Sequence, residues 1–437
     1  MTKPREILAA ASAVLLTLLL CGCFRVSADE LYSLPKASEE YMRLQVKIDE
    51  VLASGAEYSP PTGGEHRQSV QLIDIDGDGE NEAVAFFVAR AEDNPLRIYI
   101  FRSVGDEYEV AAAIEGIGTG IESVRYIDMD GDGQLEFAVG WQISSAVKTV
   151  TLHSLRDFQS IRLAQADYAS IAVSDITGDA LPDLSVVRVA TADSPGALDV
   201  LSLMPDGEVV TMTAHMSEGV ESVSKLLTGK LSDGFPAIFI DVKVSGITVT
   251  DVFCSIDGTL RNISRPGSAE ELPPRTVASS DIDGDGVIEV PFQNAMPQQT
   301  ETTYYTIDWC AYSSDGAKTV VQTTYHNYTD GWYLILPPEW VGGLTVRRED
   351  IVRGERAIVF SFADNTSGVH DFMRIYMLSG DSRTERARIG GRFELLEEGE
   401  KIYAAALFDP GGDYPDTFDE QGVRQSFRLV YSDWLMG

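Results

Sequence analysis

A nine-residue acidic loop that recurs along the chain constrains the fold more than any other feature. Residues 71–87 read QLIDIDGDGENEAVAFF, and closely similar stretches follow as RYIDMDGDGQLEFAVGW and ASSDIDGDGVIEVPFQN. A more divergent copy, DITGDALPD, begins at Asp175. Strand-like apolar and β-branched residues flank each loop. This recurrence predicts a series of similar small β units rather than one continuous sheet.

The spacing of the loops predicts a further copy that has lost its acidic residues. The loops begin at residues 74, 128, 175 and 281, at intervals of 54, 47 and 106 residues. Because the last interval is about twice the others, a hidden copy is expected near residue 228, where the chain reads TGKLSDGFPAIFI. Positions 1, 3, 5 and 9 there are Thr228, Lys230, Ser232 and Pro236. Asp233 falls at position 6 of this empty loop, so its removal is expected to have almost no effect.

Turn signals repeat in phase with the acidic loops. They lie about 30 residues after each loop start, at Gly105, Asp157, Asp206, Asp257 and Asp315. Asp-Gly between β-rich runs is typical of a hairpin. Each unit therefore reads as strand, acidic loop, strand, crossover, strand, hairpin turn and strand. Four strands in about 50 residues indicate a β-propeller blade, and five such units are legible.

The spacing of the acids suits a calcium ion. Ca²⁺ takes roughly six to eight oxygen ligands at about 2.3–2.6 Å. Acids at positions 1, 3 and 5 can point inward if the loop curls, and Gly77 and Gly79 permit that curl. Position 7 then supplies a backbone carbonyl, and the acid at position 9 closes the shell. The predicted ligands are Asp74, Asp76, Asp78, Glu80, Glu82, Asp128, Asp130, Asp132, Gln134, Glu136, Asp175, Thr177, Asp179, Leu181, Asp183, Asp281, Asp283, Asp285, Val287 and Glu289.

Two alternatives to this interpretation stand beside it. An EF-hand opens with the same Asp-x-Asp-x-Asp-Gly, but its closing Glu lies at position 12 and helices flank it. A solvated acidic turn without metal is the other alternative, and the repetition disfavours it. The loop at Asp175 should bind more weakly, because Thr177 replaces an acid and Ala180 resists a positive φ. We therefore expect about three firm calcium sites, one weaker site and none near Lys230.

The three well-preserved stretches resemble FG-GAP or VCBS repeats, the calcium-loop blades of integrin-α-like β-propellers. The resemblance covers roughly residues 66–330. It implies that the acidic loop joins the first and second strands of a blade and that calcium stiffens it. It also implies that the acids named above are the ligands. Propellers of this family commonly have more than five blades, so either this propeller is small or flanking segments add strands.

The N-terminus predicts export and a lipid anchor. Lys3 and Arg5 precede an apolar run over residues 7–20, which is too short to span a bilayer comfortably. The run ends in Leu20-Cys21-Gly22-Cys23, which resembles the lipobox of bacterial lipoproteins. The resemblance implies cleavage before Cys23 and a diacylglycerol on its thiol. An ordinary signal peptide is the alternative. Together with the repeats, this start resembles surface lipoproteins of Gram-positive bacteria.

The net charge disfavours some classes of partner, and the cysteine and histidine content disfavours a zinc site. A net charge of −34 repels nucleic acid and anionic lipid, and it suits divalent cations or basic ligands. Cys254 and Cys310 occupy similar positions in neighbouring repeats and are expected as two separately buried thiols, although a disulfide is allowed outside the cell. The chain has no Cys/His cluster with zinc spacing and only five histidines.

The flanks of the repeats predict one helix and one small domain. Residues 36–54 read as a helix with Tyr41, Leu44, Ile48 and Val51 on the face that packs against the propeller. From about residue 329 the acidic loops cease and further strands follow. The end of the chain shows helical spacing. The residues with that spacing are Val423, Phe427, Val430 and Trp434.

These features divide the chain into a lipoprotein signal peptide (1–22), a tether with a helix (23–65), a calcium-loop β-propeller (66–328) and a small α+β domain (329–437). The favoured function is a lipid-anchored binding or scaffold module outside the cell membrane, with an unknown protein or glycan ligand. One alternative is a cell-envelope or glycan-acting hydrolase or lyase, and another is a sensor for a membrane signalling protein. LSGDSRTE around Ser382 resembles a hydrolase motif only superficially, and no catalytic His supports it.

Overall fold

The protein is mainly β. A computed structural model describes residues 39–90, 93–264, 277–297, 302–364, 368–409 and 418–430 of the chain. These residues form six antiparallel sheets, which follow one another along the chain. The described helices are Glu39–Ala53, Arg383–Arg386 and Glu420–Ser426, with 3-10 turns at Arg156–Phe158 and Pro338–Trp340. The predicted signal peptide and Cys23 lie outside the described residues.

The first three sheets contain the first three acidic loops. The first sheet consists of β1 (Glu57–Tyr58), β2 (Val70–Ile73), β3 (Glu82–Val88), β4 (Leu96–Val104) and β5 (Glu107–Gly116). The second consists of β6 (Gly120–Ile127), β7 (Glu136–Gln142), β8 (Lys148–Ser154) and β9 (Ile161–Tyr168). The third consists of β10 (Ser170–Ser174), β11 (Asp183–Arg188), β12 (Ala197–Leu203) and β13 (Val209–His215).

The last three sheets differ more from one another. The fourth, at the predicted hidden copy, consists of β14 (Val220–Lys230), β15 (Pro236–Val244), β16 (Ile247–Ile256) and β17 (Thr259–Asn262). The fifth contains β18 (Val290–Ala295), β19 (Tyr305–Tyr312), β20 (Lys318–Asn327), β21 (Trp332–Leu336) and β27 (Phe427–Leu429). The sixth contains β22 (Leu344–Val352), β23 (Glu355–Asp364), β24 (Gly368–Ser379), β25 (Phe393–Glu398) and β26 (Lys401–Leu407).

The strands of each repeat unit form a simple meander, so the crossover predicted between the second and third strands is wrong. β3 pairs directly with β4, β7 with β8, and β11 with β12, all antiparallel. A short turn suffices for such a pair, whereas a crossover is needed only between parallel strands. The acidic loops therefore lie at the same end of each sheet as the hairpins between the third and fourth strands.

Successive sheets pack face to face. Apolar side chains of each sheet form a shared cluster with those of the next, from the first pair of sheets to the fifth and sixth. The middle strands are consequently buried on both faces, as β3, β7 and β12 are along nearly their whole length. Burial on both faces explains why these strands read as continuous apolar runs instead of alternating ones.

The helix Glu39–Ala53 covers the face of the first sheet that lies away from the second. Leu44 and Ile48 of the helix pack against Ala85 and Phe87 of β3. Val84 and Phe86, which alternate with them along β3, face the second sheet. The predicted helix and its packing role are confirmed, but Tyr41 is 56% exposed and does not share the buried face.

The C-terminal segment returns to the fifth sheet. The predicted helix through Phe427 is wrong beyond Ser426, because Phe427 takes an extended backbone and β27 pairs with β21. This pairing satisfies the backbone groups of an otherwise open sheet edge, which outweighs the helical spacing of the side chains. The boundary predicted between residues 328 and 329 falls inside this sheet, between β20 and β21.

The two cysteines among the described residues are not paired with each other. Cys254 on β16 and Cys310 on β19 are free and buried, which confirms two separate thiols. Burial raises the pKa of both thiols to about 11. No helix within the described ranges has the length and apolar character needed to cross a membrane.

Candidate metal centre

The first Asp of each acidic loop organises the backbone of that loop. Its carboxylate accepts hydrogen bonds from the backbone N–H groups at positions 4 and 6, so the chain curls around it. The donors are Gly77 and Gly79 to Asp74 (2.9 and 3.0 Å), Gly131 and Gly133 to Asp128 (2.8 and 3.2 Å), Gly178 and Ala180 to Asp175 (2.6 and 2.9 Å), and Gly284 and Gly286 to Asp281 (2.6 and 2.9 Å).

The acid at position 9 lies buried under the loop. It is the first residue of the second strand or adjoins it, and it pairs with the residue that precedes position 1 in all four acidic copies. One carboxylate oxygen accepts from the backbone N–H at position 2. The pairs are Ile75 to Glu82 (2.9 Å), Met129 to Glu136 (3.1 Å), Ile176 to Asp183 (2.9 Å) and Ile282 to Glu289 (3.0 Å).

Burial raises the pKa of this closing carboxyl in every acidic loop. For Glu136 and Glu289 the pKa rises to about 7, with repulsion from the neighbouring aspartates as a smaller cause. The pKa values of Glu82 and Asp183 shift in the same direction, and burial is again the largest cause. A bound cation would favour the charged form of these groups and would reverse the shift.

Three of the four predicted ligand sets converge. Carboxylate oxygens lie within 4.8 Å of one another in each of three groups. The groups are Asp74, Asp76 and Glu82; Asp128, Asp130 and Asp132; and Asp281, Asp283 and Asp285. Asp78, Glu136 and Glu289 belong to the same loops but lie outside these groups.

The remaining predicted residues hold the curl of each loop. The backbone N–H at position 7, from Glu80, Gln134, Leu181 or Val287, donates to the carboxylate at position 5 at 2.8–2.9 Å. The carbonyls of these residues stay predicted ligands.

The donor set of these loops fits a calcium ion. Every converging ligand is a carboxylate, without His or Cys, which is the oxygen-only chemistry that Ca²⁺ prefers. One buried carboxylate oxygen of Glu289, Oε1, has no hydrogen-bond partner among the described residues. A buried acceptor without a partner is unfavourable, and a cation in the loop would remove that penalty.

The loop at Asp175 keeps the curl without the ligand cluster. Ala180 takes φ 72°, the conformation that glycine adopts at the same position elsewhere, and this strain opposes the loop by roughly 1–2 kcal/mol. Asp183 accepts hydrogen bonds from the hydroxyls of Ser202 and Thr177 (2.5 and 3.2 Å). Protein hydroxyls thus satisfy the closing acid of this loop, which agrees with the expectation of a weaker site.

The fourth unit has lost the loop as well as the ligands. β14 extends to Lys230, which pairs with Pro236, so only the five residues 231–235 connect the strands. Asp233 accepts hydrogen bonds from the backbone N–H and the hydroxyl of Ser314 in the next unit (2.9 and 2.7 Å). Burial by itself would raise the pKa of Asp233, but the hydrogen bonds that its carboxylate accepts, those from Ser314 first among them, together outweigh burial and lower it. Asp233 therefore links two sheets, a contact that the expectation of almost no effect on its removal did not include.

An arginine that the sequence analysis missed reaches the second loop. Arg156 Nη2 lies 2.5 Å from Asp130 Oδ2 and 3.4 Å from Asp132 Oδ2. It precedes Asp157 in the β8–β9 turn, one of the turns that repeat in phase with the loops. The regular spacing between each acidic loop and the turn that follows it could have placed Arg156 near Asp130. The carboxylate of Asp130 is buried, so the guanidinium supplies its counter-charge.

Neighbouring acidic loops also touch. The backbone N–H of Leu135 donates to the carbonyl of Ile75 at 2.8 Å, which joins the second loop to the first. Gly77 has φ 72°, and a Cβ there would lie 2.6 Å from the carbonyl oxygen of Gly133. Glycine is thus required at this position both for its conformation and for the close approach of the two loops.

A cavity of about 640 Å³ lies between the second and third sheets, at the end of the strands opposite the acidic loops. Its charged lining residues are Lys148, Asp167, Arg188 and Asp199, beside Tyr168 and several small apolar side chains. Asp199 accepts two hydrogen bonds from Arg188 (2.7 and 3.2 Å), and Asp167 accepts one from a threonine hydroxyl (2.6 Å).

Comparison with known proteins supports the repeat type. A family model described as FG-GAP-like repeat matches residues 74–139, which include the first two acidic loops and the strands that follow them. The chain thus carries an FG-GAP-type repeat over that segment and is a β-rich protein of several four-stranded antiparallel sheets. No curated protein sequence matches the chain significantly.

Proposed function

We propose that the chain is a calcium-binding β-propeller, anchored outside the cell membrane by lipid and acting as a binding or scaffold module. The observation that carries the proposal is the convergence of carboxylates in three corresponding loops. The FG-GAP-type match over residues 74–139 supports it, as does the face-to-face packing of successive sheets. Adjacent blades of a propeller pack in this way.

Calcium has a structural role in this proposal. The ion binds only the folded loop, so each site adds RT ln(1+[L]/Kd) to stability, about 2.7 kcal/mol at a hundredfold excess over Kd. Three such sites would offset the repulsion among carboxylates in a chain of net charge −34. Magnesium would substitute poorly, because it requires an octahedral shell at shorter distances and keeps its waters.

The acids of the cavity between the second and third sheets already have partners within the protein, and this favours binding over catalysis. Asp167 and Asp199 both accept hydrogen bonds within the protein, and Asp199 is also ion-paired to Arg188. Hydrolysis of a glycosidic bond ordinarily uses a pair of acids, and Asp199 already uses both of its carboxylate oxygens for Arg188. The cavity instead offers fixed polar groups beside small apolar walls, which suits recognition of a polar ligand such as a glycan.

Calcium stoichiometry tests the metal part of the proposal. Calorimetric titration of chelator-treated full-length protein should give three firm ions, at the loops of Asp74, Asp128 and Asp281, and a weaker one at Asp175. Asp283→Asn should remove one firm ion. Asp193→Asn, which changes the same charge in an exposed loop away from the sites, should leave the count unchanged. A count of two or fewer in the wild-type protein would refute the assignment.

Fractionation and a glycan assay test the other parts. Cys23→Ser should release the protein from the membrane fraction, whereas a protein that stays bound and unprocessed would exclude the lipid anchor. Cell-wall and other glycans incubated with the full chain should be retained by the protein and recovered intact. Release of shorter products would favour the alternative of a glycan hydrolase or lyase.

A further inference from the structure

We infer that a cavity at one end of the sixth sheet binds a small oxyanion, such as a phosphate, sulfate or carboxylate group. The cavity has a volume of about 620 Å³. It lies between the β22–β23 turn, the end of β24 and the short helix Arg383–Arg386. It is separate from the acidic loops, so this inference does not depend on the proposed function.

The lining of the cavity is basic. Arg353, Arg356 and Arg386 line it, and Asp381 is the acidic residue among its described lining residues. The acids behind the cavity already have partners. Glu355 is ion-paired to Arg386 at 3.3 Å and to Arg392 at 2.6 Å, and Asp330 is ion-paired to Arg356.

Two of these arginines are held in fixed positions in the wall of the cavity. The Nε atoms of Arg356 and Arg386 are buried and have no hydrogen-bond partner among the described residues. The other bonds of Arg386 hold it in place, since Nη1 donates to the carbonyl of Gly354 at 3.2 Å and Nη2 to that of Ser379. The Nε atoms themselves lie below the surface, but 32% of the Arg356 side chain and 16% of the Arg386 side chain are accessible, so the charge of both guanidinium groups acts on a ligand in the cavity.

The remaining arginine is available to a ligand. Arg353 is exposed and forms no ion pair with any described residue. A planar guanidinium matches the geometry of carboxylate and phosphate oxygens, with two parallel hydrogen bonds. Arg353 on the rim and Arg356 and Arg386 in the wall therefore form a cationic site that can receive an oxyanion.

The segment of the sequence that lines the cavity is richer in arginine than the rest of this acidic chain. Residues 347–392 contain nine arginines and seven acidic residues, a net of two positive charges in a protein of net charge −34. The long-range field of the whole chain repels large polyanions such as nucleic acid. The three arginines of the lining therefore favour a short ligand with one oxyanion group. Ser382 also lines the cavity, but no His lies among its described lining residues, which argues for binding without nucleophilic chemistry.

Titration calorimetry of purified full-length protein in a mild detergent tests the site. Inorganic phosphate, sulfate and acetate are titrated separately at constant ionic strength in chloride, and at least one should give saturable binding. Preference for phosphate or sulfate over acetate would identify a tetrahedral group, and the reverse order a carboxylate. Absence of saturable binding for all three would overturn the inference.

Matched variants locate the site. Arg353→Gln should weaken binding of the preferred anion by roughly tenfold or more, because one charge-assisted pair is lost. Arg388→Gln removes the same charge from an exposed position of the same surface, outside the lining, and should change affinity less than about twofold. Asp381→Asn should strengthen binding, since it removes the acid that faces the ligand. Equal effects of Arg353→Gln and Arg388→Gln, or weaker binding by Asp381→Asn, would contradict the site.

Discussion

Buried and clustered acids are balanced in two different ways in two parts of the molecule. In the loops that begin at Asp74 and Asp281, no described Lys or Arg forms an ion pair with the carboxylates. At the sixth sheet, by contrast, Glu355 lies between Arg386 and Arg392, and Asp330 meets Arg356. Under the proposed function the first arrangement takes its cation from solution, whereas the second carries its own in the arginines.

The second acidic loop is intermediate between these two cases. It has the same curl as the first loop and a converging group of three acids, yet Arg156 already contacts Asp130 and Asp132. A guanidinium can balance the charge of a loop in the absence of metal, but it also competes with a metal for the same oxygens. Calcium should therefore affect the stability of the loops unequally and that of the sixth sheet very little.

The largest loss of stability is expected at Glu355, whose buried carboxylate is balanced by two arginines. Glu355→Gln leaves Arg386 and Arg392 without their buried partner, and breaking such a pair reduces stability by about 3–5 kcal/mol. The loss should be the same in calcium and in chelator, as measured by urea unfolding. Glu400→Gln, at an exposed turn of the same sheet, should change stability by less than about 0.5 kcal/mol. A loss at Glu355 that depends on calcium would break the comparison.

An acidic loop should show the opposite dependence. Asp283→Asn should reduce stability by about 2.7 kcal/mol at a hundredfold excess of calcium over Kd, because one ion is lost. In chelator the same change should be neutral or stabilising, since it relieves repulsion with Asp281 and Asp285. Urea unfolding under both conditions measures the change of sign, with Asp193→Asn as the control. A loss of equal size in chelator would mean that the aspartate has a purely structural role.

The stability of the calcium-free protein should fall as pH rises from about 4.5 to about 7. The pKa of Glu136 and of Glu289 is near 7 in the folded protein, against an ordinary value of 4.5. Between these values the folded state binds more protons than the unfolded state, so stability decreases by up to about 1.4 kcal/mol per pH unit for each group.

Urea unfolding at pH 5, 6 and 7 in chelator tests this trend. Glu289→Gln should remove the part of the pH dependence that Glu289 contributes. Excess calcium should abolish the trend, because the ion stabilises the charged carboxylates. Stability that rises with pH in chelator would show that these carboxyls are already balanced by the protein.

Arg156→Gln sharpens the contrast between the first two loops. Removal of the competing cation should increase the calcium affinity of the second loop by up to roughly tenfold, since Arg156 is partly exposed and its ion pair is weakened by solvent. In chelator the variant should be less stable than the wild-type protein. Calorimetry with Arg162→Gln, an exposed arginine on the following strand, is the matched control. Lower affinity after Arg156→Gln would show that the arginine supports the metal site.

The smallest effect is expected at the loop that lost its acids. Asp233→Ala removes two hydrogen bonds to Ser314 at an exposed position and should reduce stability by about 0.5–1 kcal/mol, independently of calcium. A double-mutant cycle with Ser314→Ala measures the coupling of the two residues. No coupling between them would restore the original expectation that Asp233 has little influence.

The sequence alone determined the local features of this protein. Alternate acids with glycines at fixed spacing predicted four curled loops, and β-rich runs predicted the strands around them, including the fourth unit without ligands. The two thiols were also predicted as separate and buried. These features could be read because loop curl, strand propensity and burial depend on residues within a few positions of one another.

Only the tertiary structure decided which distant charges meet. Arg156 lies 26 residues from Asp130, and Asp233 lies 81 residues from Ser314. The extended backbone at Phe427, where side-chain spacing predicted a helix, likewise depends on pairing with β21. The first two contacts depend on which turns and loops the packed strands and sheets bring together. The third depends on the pairing of β27 with the open edge of the fifth sheet. No local periodicity encodes that stacking, because it is set by the packing of whole sheets.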